Sequence, residues 1–143
     1  IVTAGYEKTA HRAGTGYCYE ERDGIFVTPG TINILVFTNK ALTDSAMVKA
    51  IMTITEAKTA ALQDWDAESV KLYPFINEDI PEALTKERNT TATGTSTDGV
   101  ILTIDTNGDV LTDAGSFSLF GDTLAKAVYV GVQRALSNAI GAE

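Results

Sequence analysis

The chain has 143 residues, of which 44% are hydrophobic, and carries a formal net charge of −8. At this length one core can bury roughly two thirds of the unfolded surface, so a single domain spanning residues 1–143 is expected, needing neither disulfides nor a structural metal. The acidity excludes a broad nucleic-acid-binding surface, because a polyanion is repelled wherever no basic patch intervenes, and the sequence shows none.

In chain order, Ile1 to Ala4 is a short apolar segment stopped at Gly5, expected as a strand. Thr31 to Thr38 is a dense run of β-branched and aromatic residues between the turn pair Pro29-Gly30 and Asn39, the pattern of a buried strand. From Ala46 to Trp65, the residues Met47, Ile51, Ile54, Ala61 and Trp65 recur at helical spacing, and Thr43 or Asp44 can cap the start. Asp66 to Arg88 has scattered acids, Pro74 and Pro81 and no sustained period; it reads as an excursion, with a short helix after Pro81. Asn89 to Asp98, rich in Thr, Ser and Gly, reads as a loop.

Val100 to Ile104 and Val110 to Leu111 flank Asn107-Gly108, the pair that best tolerates a type I′ turn, so an antiparallel hairpin is expected. A second long helix is expected to open at Gly121-Asp122 and to use Leu124, Val128, Val132 or Ala135, and Leu136 as its apolar stripe. Strands, helix, hairpin and helix together predict an α+β fold with a mixed or antiparallel sheet and two long helices packed on it.

One cysteine (Cys18) and one histidine (His11) cannot build a Cys/His zinc cluster or an intramolecular disulfide, which points to a reducing, cytoplasmic setting. No stretch approaches the ~18 to 20 apolar residues of a membrane span. Asp105-Thr106-Asn107-Gly108-Asp109 resembles a calcium loop, but its Gly comes early and Ser116 stands where the closing Glu belongs, so no metal is expected. Asn89-Thr90-Thr91 fits a glycosylation acceptor, with nothing else suggesting secretion.

Three runs occur in an order that is hard to obtain by accident: Gly30-Thr31-Ile32-Asn33-Ile34, then Thr55-Glu56-Ala57-Lys58, then Ala92-Thr93-Gly94-Thr95-Ser96-Thr97-Asp98-Gly99. With Thr3-Ala4-Gly5, Arg12-Ala13-Gly14, Gly115 and Gly121, they make the chain resemble the adenosylcobinamide amidohydrolase family. The segment Tyr6 to His11 departs from that family's pattern, and the resemblance implies further residues ahead of Ile1. It also implies an amide hydrolase of corrinoid salvage. Such an enzyme cleaves the bond between a corrin side chain and its aminopropanol arm and yields adenosylcobyric acid, with a corrinoid as the small-molecule partner and no cofactor. A corrinoid-binding module without turnover and a structural or regulatory domain are the alternative readings; the oligomeric state is left open.

Amide hydrolysis needs a nucleophile or activated water, donors for the oxyanion and a proton for the leaving amine. Glu56 and Lys58, two positions apart on one helix, cannot point the same way. Glu56 is either a general base or acid raised in pKa by a sheltered pocket, or a solvated surface charge. Gly94 to Gly99 is either an anion-binding nest with Thr95, Ser96 and Thr97 presented to substrate, or a turn. Asp98 is the preferred water-activating base or orienting carboxylate, which makes Asp98, Glu56 and Lys58 the catalytic set. Asn33, inside an apolar strand, needs a partner that is either substrate or backbone. His11, Cys18 and Ser96 have suitable chemistry and no sequence feature tying them to a partner.

Overall fold

A computed structural model describes residues 1–5, 10–11, 31–65, 91–95 and 97–140. Its elements, in chain order, are β1 (Val2–Ala4), β2 (Ala10–His11), β3 (Ile32–Phe37), β4 (Ala41–Leu42), α1 (Asp44–Asp64), β5 (Gly94–Thr95), β6 (Gly99–Thr103), β7 (Val110–Leu111) and α2 (Leu119–Ile140). β3 is the central strand of a mixed sheet, antiparallel to β1 and parallel to β6. Alternation along β3 sends Ile32 and Ile34 into the core, where they pack with both helices, while Asn33 and Leu35 lie on the opposite face. The architecture is α+β, with two helices packed on a small mixed sheet.

α1 starts where Thr43, in extended conformation, accepts a hydrogen bond from Ala46 N at 3.3 Å, and Asp44 complements the positive end of the helix. Its buried stripe is Ala46, Ala50, Ile54, Ala57 and Ala61. Of the expected stripe, Ile54 and Ala61 are buried and Met47 and Trp65 pack at the edge of the core, while Ile51 is exposed. The partner helix α2 presents Leu124, Val128, Val132 and Leu136, all buried, and the alanines of α1 leave room for them beside the buried Ile54 and Leu62. Two polar ties fasten the seam's surroundings. The buried Thr53 hydroxyl donates to the Ala114 carbonyl at 2.8 Å, and the Tyr129 hydroxyl donates to Asp64 at 2.8 Å. The latter bond, more than burial, holds the Tyr129 phenol above its ordinary pKa.

The expected hairpin is not formed. β6 pairs with β3, and β7 pairs with β4, both in parallel, so the segments on either side of Asn107-Gly108 belong to different strand pairs. Two ribbons, β3 to β4 and β6 to β7, instead run side by side, linked by Thr38 N to Thr103 O (3.0 Å) and Ala41 N to Asp109 O (3.0 Å). Between them Asp105 accepts from Asn107 N at 2.9 Å, a side-chain-closed turn. Gly108 lies against the Asn39 carbonyl group, whose carbon would be 3.0 Å from any Cβ there. The glycine thus serves a close backbone approach rather than a hairpin.

α2 begins at Leu119, ahead of the expected Gly121. Ser118 is the cap, accepting from Gly121 N at 3.0 Å and donating to the Gly115 carbonyl at 2.9 Å. Gly121 is buried against the Ala114 and Gly115 carbonyls. Among the described residues, no helix is long and apolar enough to cross a membrane. The excursion from Asp66 to Arg88, with its short helix after Pro81, lies outside the described residues.

Gly121→Ala tests this close approach. Alanine is the better helix former by roughly 1 kcal/mol, but its methyl would overlap the Gly115 carbonyl, an overpacking cost of about 1 to 3 kcal/mol. Thermal unfolding is expected to show net destabilisation, with Gly5→Ala, where nothing lies within 4 Å of the new methyl, close to neutral.

Candidate active site

Because β3 and β6 are parallel, their N-terminal ends lie side by side, and the residue leading into β6 is Asp98. Its Oδ1 accepts from Ile32 N at 3.1 Å, from Thr95 N at 3.1 Å and from the Thr95 hydroxyl at 2.6 Å. Its Oδ2 accepts from Thr95 N at 3.1 Å and from the Lys58 ammonium. A carboxylate offers about four lone-pair sites, so this one is fully engaged by its neighbours. The side chains of Lys58 and Asp98 are only 11% and 15% exposed, which makes this a largely desolvated ion pair rather than a surface one.

Each surrounding residue type has a local reason. Gly94 is buried beneath the pair: a Cβ there would fall 2.7 Å from Lys58 Nζ and closer still to Asp98, so any side chain would displace the pair. Thr31 donates to the Thr97 carbonyl at 2.6 Å and Thr59 to the Thr93 carbonyl at 3.3 Å, pinning the loop to β3 on one side and to α1 on the other. β5, inside the segment expected to be wholly loop, pairs with β2 so that the backbone of His11 lies opposite Gly94. The sequence reading had no structural roles for Thr31 and Thr59, although both belong to or adjoin the runs that carry the family resemblance.

Of the expected catalytic set, the structure brings Lys58 and Asp98 together and leaves Glu56 exposed. The loop meets this part of α1 through Lys58 and Thr59. The surface-charge reading of Glu56 is the one its exposure matches. Asn33 is half-buried in register with Thr3 and Gly99, and a Cβ on Gly99 would stand 2.9 Å from its Oδ1. It occupies the face of β3 opposite the buried Ile32 and Ile34. Gly94, Thr95 and Thr97 belong to the pinned loop; Ser96 and Cys18 lie outside the described residues.

Among the described residues, no group of three or more His, Cys, Asp or Glu side chains could hold a metal ion. A separate cleft of about 540 Å³ lies at the far end of β3, between Phe37, Leu111, Phe120 and Leu124. Lys40, the ionisable residue on its described lining, is held at 2.5 Å by Asp109, whose carboxyl the hydrogen bond and charge of Lys40 keep below its usual pKa. The chemistry therefore concentrates at Lys58, Asp98 and Thr95. Among the described residues, Lys58 bonds Asp98, and an ammonium, a fixed carboxylate and a hydroxyl bonded to it are groups of the kinds that acyl transfer or hydrolysis uses.

A model of the adenosylcobinamide amidohydrolase family matches residues 1–73 and 76–143, and the chain belongs to this family. It is 31% identical over 145 residues to an adenosylcobinamide amidohydrolase of Methanosarcina mazei, covering 95% of the chain and 59% of that protein. It is 38% identical over 107 residues to an uncharacterised protein of Methanocaldococcus jannaschii, covering 75% of the chain and 36% of that protein. The chain thus spans between about a third and three fifths of the length of these relatives. No solved structure matches it.

Asp98→Asn should do more than change chemistry. An amide would present N–H groups to the Thr95 or Lys58 donors, so the variant is expected to lose about 3 kcal/mol of stability, read by denaturant unfolding. Glu56→Gln, at an exposed position, should stay within about 0.5 kcal/mol of the parent.

Proposed function

We propose that the protein containing this chain hydrolyses adenosylcobinamide to adenosylcobyric acid in corrinoid salvage, releasing the aminopropanol arm as a free amine. The observation that carries this reading is the desolvated Lys58–Asp98 pair held above Gly94, in a chain belonging to the amidohydrolase family. Lys58 uses one of its three N–H groups on Asp98 and offers the others to the carbonyl oxygen of the scissile amide, where negative charge develops. Asp98 holds that ammonium in place and stands as the proton acceptor of the site. The loop from Gly94 to Thr97, including Ser96, receives the substrate amides. Asn33, on the far face of β3, is given no part at the reacting group.

The ligand proposed is a corrinoid rather than a nucleic acid, in keeping with the net charge of −8. The single cysteine supports a reducing, cytoplasmic setting, and no cofactor is invoked.

Incubating the full-length protein with adenosylcobinamide and weighing the products tests the reading. Adenosylcobyric acid is the expected product, and Lys58→Met should lower single-turnover hydrolysis by roughly 10² to 10³-fold, the usual effect of removing an oxyanion donor. Saturable corrinoid binding without product would replace the hydrolase by a non-catalytic corrinoid-binding module.

A further inference from the structure

The reaction requires a nucleophile, and the described site contains a hydroxyl already bonded to a carboxylate. Thr95 Oγ1 donates to Asp98 Oδ1 at 2.6 Å, the nucleophile-to-base distance of covalent catalysis. The base is itself oriented, by the Ile32 N–H and by Lys58, which supplies the third member such a centre needs. Thr95 is half-buried, so the loop does not seal its hydroxyl from a ligand. Its backbone N–H is also fixed on Asp98, which leaves the side chain little freedom to leave the carboxylate.

We infer that Thr95 is the catalytic nucleophile and that the reaction passes through an ester between its Oγ1 and the corrin side-chain acyl group. This rests on the hydrolase reading above and supplies its missing step. Oγ1 attacks the amide carbon while its proton moves along the existing bond to Asp98 Oδ1, and the carbonyl electron pair shifts onto oxygen beside the Lys58 ammonium. When the tetrahedral adduct collapses, the C–N bond breaks and Asp98 returns the proton to nitrogen. Aminopropanol leaves as the amine and the acyl group stays on Thr95. Water then adds to the ester carbon, giving a proton to Asp98; the C–Oγ1 bond breaks, Oγ1 recovers that proton and the free carboxylic acid departs. The sum is amide plus water giving acid plus amine.

The alternative is that the Thr95 hydroxyl only closes a turn on Asp98, with water attacking directly. The two differ in whether a covalent acyl group exists to be intercepted. The experiment supplies hydroxylamine during turnover of adenosylcobinamide by the full-length protein, using wild type, Thr95→Ser and Thr95→Val, with unfolding curves to confirm that each is folded. The corrinoid products are weighed, and acid-quenched protein is mapped for an acyl adduct. Corrinoid hydroxamate together with an adduct on residue 95 from wild type and Thr95→Ser, both lost in Thr95→Val with a fall of at least about 10³-fold in turnover, supports the nucleophile. Acid product from wild type with neither adduct nor hydroxamate overturns it while the hydrolase reading stands. No product at all from wild type overturns both.

Discussion

The carboxylate of Asp98 is the point on which the described structure converges. It takes the first N–H of β3, both donors of Thr95 and the ammonium of Lys58, and so joins a central strand, a polar loop and a helix through one group. Such a gathering is stable only if every donor is present, because a buried charge that loses a partner costs more than the pair contributed. The threonines around it follow from the same constraint. A loop that must hold a carboxylate in a mostly desolvated place also needs its own carbonyls bonded, and Thr31 and Thr59 do that from either side.

Parallel pairing of β3 with β6 is the topological condition for this arrangement. Were β6 antiparallel to β3, the start of β6 would face the far end of β3. Asp98 and Ile32, 66 residues apart, could not then share a hydrogen bond. The pairing in turn requires a long connection between the strands, and α1 forms part of it, which brings Lys58 over the strand ends.

What was legible in the sequence was what local pattern controls. The central strand, the Thr43 cap and the four-residue spacing of Leu124, Val128, Val132 and Leu136 each depend on neighbours within a turn or two. The hairpin was misread because Asn-Gly serves two ends: it permits positive φ, and it lets a second backbone approach, and only the tertiary fold decides which is used. The stripe of α1 was legible at Ile54 and Ala61, but Ile51 is exposed and Ala46, Ala50 and Ala57, too small to stand out in a hydrophobic pattern, take buried places. In the site, Lys58 and Asp98 were individually visible, but their pairing spans 40 residues and depends on packing. Which of Glu56 and Lys58 turns inward was in fact readable, since Lys58 is four residues from both Ile54 and Leu62, on the buried face, while Glu56 is four from the exposed Met52.

The alanine seam also acts as a spacer for the site. Lys58 rides on a helix that buries Ala46, Ala50, Ala57 and Ala61 in the core, where a larger side chain would have to be accommodated by movement. Core packing is thereby coupled to electrostatic alignment: a methylene added on that buried face acts as a shim, and any shift of α1 that makes room for it carries Lys58 along. A part of the molecule with no chemistry of its own therefore sets the geometry of the part that has it.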